Sequence, residues 1–86
     1  MSGFVVYWGR HKDKEWHLFE AIEKAESLFA QMLSTYDRSL PLNKCVYPLG
    51  VIDLNTRTIL KVSNTQSAHS HCESFLYEIL HSTPIK

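Results

Sequence analysis

The chain has 86 residues, 44% hydrophobic and 21% charged, which is the composition of one globular domain with no room for a second core. Nine basic residues balance nine acidic ones, so the global positive field that accompanies most nucleic-acid binding is absent. Cys45 and Cys72 are too few for a disulfide framework, and no apolar run approaches the roughly 18 residues of a membrane span. The expectation is a reduced, cytoplasmic protein with no membrane contact.

Residues 4–8, Phe-Val-Val-Tyr-Trp, are aromatic and β-branched, which is strand composition. Basic residues follow this short apolar run, the reverse of a secretory signal. Phe4, Val6 and Trp8 point one way and Val5 and Tyr7 the other. Gly9 ends the run, and a polar stretch leads to residues 15–19. There Trp16 and Leu18 alternate with Glu15 and His17, as in the second strand of a hairpin. The competing reading starts a helix early, with Asp13 as its N-cap. It crowds Trp16, His17 and Phe19 onto the polar side, so the hairpin is preferred.

Residues 20–36 carry Ile22, Ala25, Phe29, Met32 and Tyr36 at helical spacing, with Ala21, Leu28 and Leu33 widening the stripe. No Gly or Pro interrupts the run, and the spacing predicts a core helix. A connector with Pro41 stops it. Residues 45–54 read as a strand with a fault at Pro48 and Gly50, so the clean part is 49–54. Residues 58–62 form its hairpin partner across a short turn. Asp53 reads as an Asx-type acceptor for the backbone N–H groups of that turn. After the polar loop 63–67, Cys72, Phe75, Leu76, Ile79 and Leu80 recur at helical spacing and predict a second amphipathic helix. Residues 83–86 are expected to fray.

The order is ββα-ββα, with βαββα as the alternative. It predicts an α+β domain over residues 1–82, an antiparallel sheet of about four strands with both helices on one face. Ala25-Glu26-Ser27-Leu28-Phe29 and Cys72-Glu73-Ser74-Phe75-Leu76 form an internal echo consistent with two similar units. Both faces of residues 4–8 and 49–54 are apolar. With one face uncovered, the surplus calls for burial against a homodimer mate or another protein.

The candidate contact residues are Tyr7, Trp8, Arg10, Lys12, Lys14 and Trp16, together with His11 at the hairpin tip. Trp, Tyr and Arg are the residues enriched in protein hot spots. The same aromatics interleaved with cations suit phosphate contact and base stacking, so nucleic acid is the alternative partner. Trp8-Gly9-Arg10 resembles the signature of the WGR domain, a small nucleic-acid-contacting module in which the tripeptide lies on a strand ahead of a helix. The resemblance covers three residues and the helix pattern. The glycines that follow the signature in that family, and the strands that precede it, are absent here, and no function is carried over.

His69, His71 and Cys72 are of metal-ligating type. On a helix His69 and Cys72 lie one turn apart while His71 points elsewhere, and Cys72 falls on the apolar stripe, so no metal or other cofactor is assigned. No phosphate loop, nucleophile elbow or paired-histidine zinc motif occurs in the chain. The function expected is that of a non-enzymatic interaction module or small regulator, working through self-association or a protein partner on the open sheet face.

Overall fold

The computed structural model describes residues 3–10, 13–37, 39–41, 44–65 and 67–82, without the side chains of Leu80 and Ser82. The expected frayed tail, and His11 and Lys12 of the first hairpin, lie outside the described residues. Six elements follow in the order ββα-ββα: β1 (Phe4–Arg10), β2 (Asp13–Phe19), α1 (Ile22–Thr35), β3 (Val46–Asp53), β4 (Thr58–Val62) and α2 (Ala68–Ser82). The four strands form one antiparallel sheet in the order β2-β1-β3-β4. The hairpin reading of residues 15–19 holds: β2 pairs with β1 from Arg10↔Asp13 to Phe4↔Phe19 without a break.

The two helices lie on opposite faces of this sheet, which corrects the expectation of one helical layer. Side chains alternate along a strand. Val5 and Tyr7 of β1 and Ile52 of β3 pack with Cys72 and Phe75 of α2. Val6 of β1 and Val51 of β3 pack with Ala25 and Phe29 of α1 on the other side. Antiparallel neighbours are related by dyads normal to the sheet, and such a dyad keeps faces. The echo between the helix sequences therefore does not express a two-fold repeat. The open sheet face is filled by the chain itself, because strands covered on both faces carry continuous apolar runs.

β3 is longer than expected and runs straight through Pro48. The register against β1 slips between Tyr7 and Trp8, leaving Leu49 as an extra residue. A bulge accommodates the missing N–H of Pro48 inside a central strand. The Pro48 carbonyl is not left bare: it accepts from Ser63 Oγ at 2.6 Å and from the buried Thr65 Oγ1 at 3.1 Å. Gly50, two residues on, is needed for close approach. A Cβ there would lie 2.6 Å from Cys72 Sγ and 2.6 Å from the Lys61 carbonyl oxygen.

Coverage of the two faces is uneven. α1 packs over β1, β3 and β2, whereas α2 lies chiefly over β3 and β4 and reaches the first hairpin through the Phe75 ring. On the α2 side the strip belonging to β2 is therefore left uncovered. Trp16 and Leu18 stand there, 44% and 38% exposed. Leu33, expected to widen the core stripe of α1, is also exposed.

Candidate interaction surface

The uncovered strip of β2 borders a groove of about 340 Å³ between the first hairpin and α2. Tyr7 from β1, Lys14 and Trp16 from β2, and Phe75, Glu78 and Ile79 from α2 line it. Cross-strand pairing brings the hairpin residues together: Tyr7 is opposite Trp16, and Gly9 is opposite Lys14. Residues directly opposite in an antiparallel pair share a face.

Phe75 is the floor. Its ring stacks on Tyr7 with centroids 4.5 Å apart and an interplanar angle of 23°. Trp16 leans on the same ring at 5.7 Å and 56°, so the indole is both held and exposed. A large amphipathic ring in a fixed pose loses little entropy on binding, which is why such residues anchor protein contacts. Burial, then the neighbouring Cys72, Glu78 and Tyr47, push the Tyr7 phenol above its ordinary value. Tyr7 thus acts as a neutral, apolar wall at physiological pH. Lys14 lies at the hairpin end of the groove, near enough to His71 to help burial lower that imidazole's pKa.

The six expected contact residues do not form one surface. Tyr7, Lys14 and Trp16 share the α2 side, with Tyr7 buried. Trp8 and Arg10 are on the α1 side, where both meet Glu15. Trp8 Nε1 donates to Glu15 Oε1 at 3.1 Å, and Arg10 Nε is 3.7 Å from the same oxygen. Lys12 lies outside the described residues. Gly9 of the Trp-Gly-Arg tripeptide has a packing role, since the Tyr47 ring occupies the space a Cβ would need.

What the sequence reading missed is the α2 contribution to the groove. Phe75 appeared in the helical stripe, but its contact with Trp16 depends on where α2 crosses the sheet, which spacing does not reveal.

A second, more open groove of about 510 Å³ lies between the β3–β4 turn and the outer side of α2. Ile59, Leu76 and Tyr77 supply its apolar part, and Arg57, His69 and Glu73 its charged part. His69 Nδ1 is 3.5 Å from Glu73 Oε1. Cys72 is fully buried in the core, its thiol pushed up to about 11 by desolvation. His69 and Cys72 are thus committed to different surroundings. Among the described residues no three metal-ligating side chains converge. Asp53 has the turn role expected of it, accepting from the Asn55 N–H at 2.8 Å and from the Thr56 N–H at 3.4 Å.

Among the described residues no helix is long and apolar enough to cross a membrane. Comparison with protein-family models, curated proteins and solved structures finds no match.

Proposed function

We propose that the chain is a small non-enzymatic protein-binding module whose contact surface is the β2 strip and the groove beside it. The observation that carries this reading is the pose of Trp16, 44% exposed on an edge strand yet steadied by Phe75. Leu18 extends the apolar strip along β2, and Lys14 supplies a polar rim, the anatomy of a compact protein contact. Cys72 is buried and Cys45 partly so, each unpaired, which suits a reducing, cytoplasmic setting.

The nucleic-acid alternative has less support, because Arg10 is already beside Glu15 and the cations are split between two faces. It predicts binding that weakens steeply with salt and falls on Arg10→Ala.

The test is affinity capture with the whole chain as bait, beside the Trp16→Ala and Leu33→Ala variants, both at exposed positions. Capture, of itself or of another protein, lost with Trp16→Ala and kept with Leu33→Ala supports the reading. Capture indifferent to Trp16→Ala overturns it.

A further inference from the structure

We infer that the partner taken by the β2 edge is the β2 edge of a second copy of this chain, paired antiparallel about a dyad through Trp16. The inference rests on the binding role proposed for the hairpin and specifies its occupant.

The sheet has two edges, and they differ. β4 has five residues, and its register against β3 slips between Val51 and Ile52. Lys61, its fourth residue, reaches Glu26 of α1 at 3.4 Å. A short strand, a bulge and a lysine are the devices that keep an edge from pairing. β2 has seven residues, no proline and an unbroken register against β1. It carries Lys14, but it is the longer of the two edges and the one without a bulge.

The backbone of β2 also has a fixed alternation. Only two residues separate Arg10 from Asp13, so that pair must itself exchange both backbone hydrogen bonds. It follows that Asp13, Glu15, His17 and Phe19 bond to β1, while Lys14, Trp16 and Leu18 turn their N–H and C=O groups outward. No described strand pairs with them.

The sequence of β2 is self-complementary about its midpoint. With the dyad at Trp16, the whole strand is used: Lys14 faces Leu18, Glu15 faces His17, and Trp16 faces its own counterpart. Sliding by two residues toward the turn puts Glu15 opposite Glu15, and sliding the other way puts His17 opposite His17. Like charges directly opposite destabilise a pair, which disfavours the Glu15 register, and either slide leaves two residues of each seven-residue strand unpaired. A slide by one places outward groups against inward ones and forms no ladder. The dyad is normal to the sheet, so both α2 helices stay on one side. The uncovered Trp16–Leu18 strips of the two copies then join into one, on an eight-stranded sheet.

The experiment is light scattering behind a sizing column, from about 10 μM to about 1 mM, on four versions of the full chain. The wild type is expected to pass from monomer to dimer mass. Leu18→Lys, at an exposed position, sets a lysine opposite the second copy's Lys14 twice and is expected to weaken dimerisation at least about tenfold. Lys14→Glu combined with Leu18→Lys restores opposite charges and is expected to restore the dimer, which an unfolded variant does not do. Leu60→Lys on the β4 edge is expected to leave it unchanged. A wild type that stays monomeric, or a dimer lost with Leu60→Lys and kept with Leu18→Lys, overturns the inference. A monomer that still captures another protein through Trp16 overturns this inference alone and leaves the proposed function standing. A chain that neither self-associates nor binds through Trp16 overturns both.

Discussion

The ring of Phe75 on α2 lies stacked on the ring of Tyr7 in β1, centroids 4.5 Å apart, and Trp16 of the edge strand leans on the same phenyl group. One side chain therefore couples the position of α2 to the pose of the exposed indole. Phe75→Ala removes a core ring and is expected to lower stability by about 3 kcal/mol in urea denaturation. Trp16 loses its support in the same variant, so tryptophan emission shifts to the red. A loss below about 1 kcal/mol, with unchanged emission, contradicts the placement of α2.

Gly50 tests the closeness of α2 to β3. A methyl group there meets Cys72 Sγ and the Lys61 carbonyl oxygen, each at 2.6 Å. The carbonyl belongs to the sheet and cannot swing away. Gly50→Ala is expected to destabilise by about 1–3 kcal/mol, and adding Cys72→Ala recovers only part of it, since the backbone clash remains. Thermal melts of the two variants check this.

The buried Cys72 thiol makes stability fall at high pH. Its folded pKa is about 11 against an ordinary value of 9.0, raised by desolvation. Below pH 9 the thiol is protonated in both states and the contribution is fully present. Between pH 9 and about 11 the unfolded chain gives up the proton and the folded chain keeps it, so stability declines, by up to about 2–3 kcal/mol. Tyr7, raised in the same direction, adds to the decline at its upper end. Melting temperatures measured across this window should fall less for Cys72→Ala than for the wild type.

Asp53 ties the β3–β4 turn through the Asn55 and Thr56 amides. Asp53→Ala removes the Oδ1 that accepts both bonds and is expected to cost about 1 kcal/mol, whereas Asp53→Asn keeps an acceptor oxygen and most of the stability. Equal losses in the two variants in chemical denaturation contradict the role.

Much of the fold is legible in the residues. Alternation of Trp16 and Leu18 with Glu15 and His17 marks β2, and the stripe of Ala25 and Phe29 marks α1. Asp53 announces its turn. What periodicity does not carry is the side of the sheet on which each helix lands. Phe4 to Trp8 are apolar on both faces, and that signal has two physical solutions: an external partner, or a helix on each side. Val6 against Phe29 and Val5 against Phe75's side of the core show the second. The site was legible in part for the same reason. Tyr7, Lys14 and Trp16 were singled out with Trp8 and Arg10, but strand alternation sends the last two to the α1 side, where Glu15 engages both. The fault read at Pro48 and Gly50 is the bulge at Leu49, and only the restriction of the clean strand to 49–54 is too short, because the bulge lets β3 run on through the proline.

The most direct measurement is amide hydrogen exchange along β2, read residue by residue at low and high protein concentration. Glu15 and His17, bonded to β1, are expected to be protected throughout, while Lys14, Trp16 and Leu18 exchange fast when dilute and slow as the free edge is paired. Fast exchange of Lys14, Trp16 and Leu18 at every concentration, with Glu15 and His17 protected, contradicts self-pairing of this edge.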